Sequence, residues 1–142
     1  MIMDHTVKII DELPPKESAE LLKLFAGADF AELEDGTEWL NEAVKGSMLA
    51  AGAFASDGAL IGFARVLGDG VSDCYIQDVT VRSDCRRQGI GQELVKFLIA
   101  ELRKRHIDWI GLIATPGKAD FYRKLGFEIM TDHTPMRLKD QV

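Results

Sequence analysis

The chain has 142 residues, a formal net charge of −6 and only two cysteines. That length suits a single domain spanning 1–142, with a core that needs no disulfide or metal staple. Cys74 and Cys85 lack metal-ligand or Cys-x-x-Cys spacing, no apolar run reaches the roughly 18 residues that cross a bilayer, and the start lacks a basic stretch followed by an apolar one; the expectation is a reduced, cytoplasmic protein with no membrane partner.

Taken in chain order, Thr6 to Ile10 reads as a first strand, stopped by Pro14-Pro15. Lys16 to Phe25 carries Ala19, Leu21, Leu22 and Phe25 at helical spacing, with Gly27 closing the helix, and Thr37 to Lys45 repeats the pattern through Trp39, Leu40 and Val44. Met48 to Ala55 and Leu60 to Leu67 read as strands joined through Ser56-Asp57-Gly58-Ala59, where Asp-Gly signals a hairpin. Tyr75 to Val81 follows as another strand, then a helix from Gly89 to Arg105 with Ile90, Leu94, Leu98 and Leu102 four apart. Trp109 to Ile113 reads as a buried strand, Ala119 to Leu125 as a short helix ended by Gly126, and Phe127 to Met130 with Pro135 to Leu138 as a closing hairpin. A strand, two helices, an antiparallel hairpin, strand, helix, strand, helix and a final hairpin predict a three-layer α/β/α fold around a mixed, mostly antiparallel central sheet.

The most informative stretch is Arg86-Arg87-Gln88-Gly89-Ile90-Gly91, set between strand and helix. A diphosphate needs several backbone N–H groups converging on it, and side chains would block the approach; Gly89 and Gly91 remove that block. A helix starting there turns its unpaired N–H groups and the positive end of its dipole toward an anion, and Arg82, Arg86 and Arg87 add charge. A Walker loop needs Lys where Gln92 stands, and a Rossmann fingerprint needs a small residue where Leu94 stands, so neither fits.

One helix and one strand later comes Phe121-Tyr122-Arg123-Lys124-Leu125-Gly126-Phe127. Together the two motifs resemble the GNAT superfamily of acetyl-coenzyme A dependent N-acetyltransferases over roughly residues 48–130, with Arg/Gln-x-x-Gly-x-Gly and Phe-Tyr-x-x-Leu-Gly-Phe in the same order. Ile61 to Arg65, Asp78-Val79 and Lys118 to Phe127 are weakly similar to its arylalkylamine or serotonin N-acetyltransferase-like branch. The resemblance implies a GNAT-like fold and acetyl-coenzyme A (acetyl-CoA) as cosubstrate. Val79 and Val81 would pair through their backbone with the pantetheine arm, Arg86, Arg87, Gln88, Gly89, Ile90, Gly91 and Gln92 would hold the diphosphate, and Phe121 or Lys124 would line the channel. Many relatives place an Asn seven residues before the tyrosine, whereas this chain has Thr115 there.

Amide formation from a thioester needs a neutral amine, a donor to the oxyanion and an acid for the leaving thiolate. Asp78 is the candidate base, direct or through water, with the alternative that it accepts bonds from a loop or from Arg65. Tyr122 is the candidate acid, with the alternative that it is a core aromatic packed on Phe121 and Phe127. The oxyanion donor would be a strand N–H, that of Val79 foremost. Trp39 could stack on an aromatic amine while Asp35 or Glu38 pairs with its charge, or Trp39 is simply core.

His5, His106 and His133 are far apart in the chain and no metal is expected; His106 suits the end of a basic helix terminus. No serine stands in a Gly-x-Ser-x-Gly setting, against a serine hydrolase. Residues 1–50 hold eleven acids against four bases, read either as solvated faces or as a surface for a cation. Without an extended basic stripe, no nucleic-acid partner is expected. The leading expectation is acetyl transfer from acetyl-CoA to the primary amine of a small molecule by direct attack in a ternary complex. The alternatives are a catalytically silent coenzyme-binding sensor or interaction module, and an acetyltransferase for a protein or peptide amine. A homodimer is left open.

Overall fold

The elements run β1 (His5–Ile9), α1 (Pro15–Gly27), α2 (Glu38–Lys45), β2 (Leu49–Ala55), β3 (Leu60–Gly68), β4 (Asp73–Val81), α3 (Ile90–Lys104), β5 (Trp109–Gly111) and α4 (Ala119–Arg123), with single 3₁₀ turns at Leu33–Asp35 and Ser83–Cys85. The structure is a computed structural model and describes residues 4–140. It divides into two units, one running to Leu112 and one from Ile113 onward.

In the first unit the sheet order is β1-β2-β3-β4-β5. The first three pairings are antiparallel and β4–β5 is parallel, which is the mixed, mostly antiparallel sheet expected. The β2–β3 turn forms because Gly58 supplies φ +90° and the Asp57 carboxylate accepts the Ala59 N–H at 2.9 Å. Successive strand residues face opposite ways, and β3 uses this to build two cores. Phe63 joins Leu24 and Phe25 of α1 and Leu40 and Val44 of α2 in one apolar cluster. The neighbouring Gly62 faces α3: a Cβ there would lie 3.0 Å from the Leu94 side chain and 3.2 Å from that of Ile90. Helices α1 and α2 therefore cover one face and α3 the other.

The apolar period of α3 explains its seat. Ile90, Leu94, Val95, Leu98 and Leu102 are all essentially inaccessible to solvent, and burial of each such side chain contributes roughly 1.5–3 kcal/mol. The bare Gly62 lets the first turn of α3 approach the sheet closely, and this fixes where its N-terminus points.

The second unit departs from the sequence expectation. Helix α4 forms, ending at Arg123 rather than Leu125, but residues 127–130 and 135–138 form no strand. Ile129, Met130, Met136 and Leu138 are exposed, the last two more than four-fifths. A strand is a paired object, and an alternating apolar run without a ladder partner stays irregular. Strand β5 is likewise shorter than expected, ending at Gly111 instead of Ile113.

Candidate functional site

Strand β4 is not regular. Its burial alternates from Asp73 to Gln77, then Asp78 and Val79 are both half-buried before Thr80 is buried. The register gives the reason: Arg65 lies opposite Gln77 and Phe63 opposite Thr80, so Ala64 alone faces the pair Asp78-Val79. This is a β-bulge, and Asp78 takes φ +59° to make it. Directly opposed residues share a face, so Gln77 and Thr80, three apart, now point the same way. Thr80 Oγ1 accordingly donates to the Leu24 carbonyl of α1 at 3.4 Å.

The bulge sits where β4 loses its parallel neighbour. Strand β5 pairs only with Asp73 to Tyr75, and beyond Tyr75 that edge of β4 carries no strand among the described residues. The Arg82 N–H donates to the Ile61 carbonyl at 2.8 Å. By antiparallel alternation Val81 then turns its backbone groups away from β3 toward the open edge, and Val79 shares that edge. The Val81 carbonyl accepts the Arg86 Nε at 3.0 Å, so the guanidinium of Arg86 lies along the same edge.

From Val81 the chain passes through the 3₁₀ turn into the glycine loop. Arg87 has φ +64° and Gly89 φ +83°, two left-handed residues separated by Gln88, the kind of backbone that gathers N–H groups into an anion-binding concavity. Gly89 is the N-cap of α3, no side chain caps the helix, and a Cβ on Gly89 would meet nothing within 4 Å. The N–H groups of the first turn thus have neither an intrahelical partner nor a side-chain cap, and they carry the positive dipole end. Arg82, expected beside this loop as free charge, is held instead by Asp84, Nε to Oδ1 at 2.6 Å and Nη2 to Oδ2 at 3.2 Å. That bidentate bond raises the affinity of Arg82 for its proton and lowers that of Asp84.

Asp78 is where the alternative reading of the sequence is realised: its Oδ2 accepts the Arg65 Nε at 2.6 Å, with both side chains about four-fifths buried. Trp39 donates its indole N–H to the Gly36 carbonyl at 3.1 Å, tilts onto Phe25 with ring centroids 6.1 Å apart, and keeps 37% of its surface exposed. Asp35 is engaged in capping, one oxygen accepting the Glu32 N–H at 2.9 Å. Cys74 and Cys85 are buried and in no disulfide, and burial pushes both thiols up in pKa, away from reactive thiolate. In the second unit Tyr122 lies between Phe121 and Phe127, centroids 4.9 and 5.9 Å away and both edge-on. This burial pushes its phenol up in pKa, so it remains a proton donor well into alkaline pH. Lys124 caps the end of α4, and the Thr115 carbonyl accepts the Lys118 N–H at 3.1 Å.

An open strand edge running into a left-handed loop and an uncapped helix N-terminus suits a ligand with an extended hydrogen-bonding arm joined to a diphosphate. The acetyltransferase (GNAT) domain matches residues 50–129, more than half of the chain, and the chain belongs to that family. It is similar to serotonin N-acetyltransferase 2, chloroplastic, of Oryza sativa subsp. japonica, 39% identical over 80 residues, which are 56% of this chain and 40% of that protein. It is similar as well to histone acetyltransferase TAP1 of Glycine max, 42% identical over 69 residues, 49% of this chain and 30% of the relative. The matched part is thus less than half the length of either relative. Among solved structures, a GNAT family acetyltransferase from Streptococcus pneumoniae TIGR4 aligns with a TM-score of 0.80 at 27% identity, covering 98% of this chain and all of the other.

Proposed function

We propose that the chain transfers acetyl from acetyl-CoA to the primary amine of a small molecule by direct attack in a ternary complex. The observation that carries this is the continuity of the bulged, open edge of β4 with the left-handed loop and the N-terminus of α3. The Arg86–Gln92 loop would hold the diphosphate, and the edge at Val79 and Val81 the pantetheine arm. The residues fit such a guest: the Gly89 Cα faces open space, and the cationic Arg86 and Arg87 adjoin the loop.

The amine nitrogen attacks the thioester carbonyl, the carbonyl electrons move onto oxygen, and the Val79 N–H donates to that oxyanion. Asp78, directly or through a water, takes the proton released by the amine. The intermediate then collapses and the C–S bond breaks; supplying the proton for the departing sulfur is the role proposed for Tyr122. A protonated donor is what the raised pKa of Tyr122 supplies.

A protein amine is the second reading. It draws on the α1–α2 segment, where Asp29, Glu32, Glu34, Asp35 and Glu38 are exposed around Phe30, Leu33 and Trp39 with no basic residue between Leu24 and Val44. Thiol release from acetyl-CoA, read with a thiol-reactive dye across arylalkylamines, polyamines, amino sugars and basic peptides, separates the two. Turnover with small amines supports the first reading, turnover confined to peptides the second, and tight coenzyme binding with no release a sensor. We propose a cytoplasmic location, which two thiols in no disulfide suit; a chloroplast location, the word carried in the rice relative's name, is the alternative that imaging of a tagged chain tests.

A further inference from the structure

We propose that Arg65 is the positioning residue of the transfer site: its guanidinium aims the Asp78 carboxylate and ties the β4 bulge to the end of α2. This rests on the acetyl-transfer reading above and names the residue through which Asp78 is set. Three elements meet at that one side chain. From β3, Arg65 Nε donates to Asp78 Oδ2 of the bulge at 2.6 Å, while Nη1 lies 3.4 Å from the Ala43 carbonyl of α2 and 3.5 Å from Ser47 Oγ in the turn after it. The side chains of Arg65 and Asp78 keep only 18% and 20% of their surface exposed.

The chemistry of each group favours this arrangement. Asp78 is a non-glycine residue at φ +59°, a conformation that persists only where the surroundings over-determine it. The ion pair is such a constraint, because it anchors the side chain of the very residue that bulges. The last turn of α2 presents its carbonyls and negative dipole end, which a planar cation with several donors can meet while still holding a carboxylate. Ser47 Oγ itself donates to the Ala43 carbonyl at 2.7 Å, so the turn is fixed before Arg65 reaches it.

With Oδ2 engaged, Asp78 Oδ1 accepts no hydrogen bond among the described residues. The carboxylate therefore has one anchored oxygen and one open oxygen, with its plane set by the guanidinium. An ammonium or a water that meets Oδ1 finds it at a fixed place relative to the Val79 N–H on the same bulge. Removing Arg65 frees the Asp78 carboxylate to rotate. Lysine cannot reproduce the arrangement, since a single ammonium does not span Oδ2 and the Ala43 carbonyl in one plane.

The test takes the amine that gives thiol release and measures kcat, amine KM and coenzyme affinity for Arg65→Ala, Arg65→Lys and Asp78→Asn. Arg65→Ala should lower kcat by about tenfold or more while coenzyme affinity stays within about twofold, because the diphosphate loop is untouched. Added guanidinium should restore part of the lost rate, and Arg65→Lys should fall between wild type and Ala. Asp78→Asn still accepts from Arg65 but offers no carboxylate, and should fall on the order of a hundredfold. Wild-type kcat in Arg65→Ala beside an inactive Asp78→Asn would overturn the role of Arg65 and leave that of Asp78. Full activity in Asp78→Asn would overturn both. A matched fall of kcat and coenzyme affinity, unmoved by guanidinium, would make Arg65 merely structural. If Arg65→Ala melts below the assay temperature, Arg65→Lys decides: a kcat equal to wild type overturns the proposal.

Discussion

Gly89→Ala separates two demands that one residue meets. In the protein alone, a Cβ at this position meets nothing within 4 Å, so no clash arises. The cost is conformational: at φ +83° an alanine pays about 1–2 kcal/mol to remain left-handed. For a chain of this size, that lowers Tm by roughly 3–6 °C. Coenzyme binding should suffer separately, because the methyl group stands where phosphate oxygens must approach the N–H groups. Losing one or two charge-assisted hydrogen bonds of about 1.5–3 kcal/mol each weakens affinity by at least about tenfold. Gly89→Asn is the control, since asparagine tolerates the left-handed region yet still carries a Cβ. It should recover most of the lost stability and none of the affinity. Scanning calorimetry gives the first quantity and titration calorimetry with acetyl-CoA the second. An Asn or Ala variant that binds acetyl-CoA as wild type does would refute the assignment of the loop.

Gly62→Val tests the seat of α3. Even the Cβ is tight at 3.0 Å from Leu94, so the larger side chain should cost about 1–3 kcal/mol in denaturant unfolding and weaken coenzyme binding by tilting the helix N-terminus; a stable variant with normal affinity would contradict this. Tyr122→Phe should lower kcat by about a hundredfold or more with coenzyme affinity nearly unchanged, whereas equal losses in both would indicate packing alone. Asp69 accepts the N–H groups of Ser72 and Val71 and the Ser72 hydroxyl, which holds its carboxyl far below the usual carboxylate range. A depressed folded-state pKa gives stability that is complete above the unfolded value of about 4 and lost as pH falls toward the folded one. The gap in urea midpoint between wild type and Asp69→Asn should therefore be constant at neutral pH and shrink below about pH 4; a gap independent of pH would disprove the linkage.

The first unit was readable because local signals and global fold agree there. β-branched and aromatic runs marked β3 and β4, four-residue spacing marked α3, and Gly89 stood where the backbone turns left-handed. The bulge was not readable. Aspartate tolerates φ > 0 without requiring it, so Asp78 carries no signal, and the register that reveals the extra residue exists only once β3 and β4 are paired. Arg82 looked like free charge because the sequence does not show that Asp84, two residues on, folds back to chelate it through the 3₁₀ turn. The closing hairpin failed for a related reason: alternation in residues 127–138 specifies which side chains could share a face, but a ladder partner must be present to make a strand.

The most direct measurement compares acetyl-CoA with acetyl-pantetheine, which keeps the thioester and arm but lacks the diphosphate, by titration calorimetry on wild type and Gly89→Ala. If the Arg86–Gln92 loop holds the diphosphate, wild type binds acetyl-CoA about a hundredfold or more tightly than acetyl-pantetheine, several charged hydrogen bonds being at stake, and the gap narrows sharply in Gly89→Ala. Equal affinity of wild type for the two compounds, or a gap that Gly89→Ala leaves intact, would contradict the account.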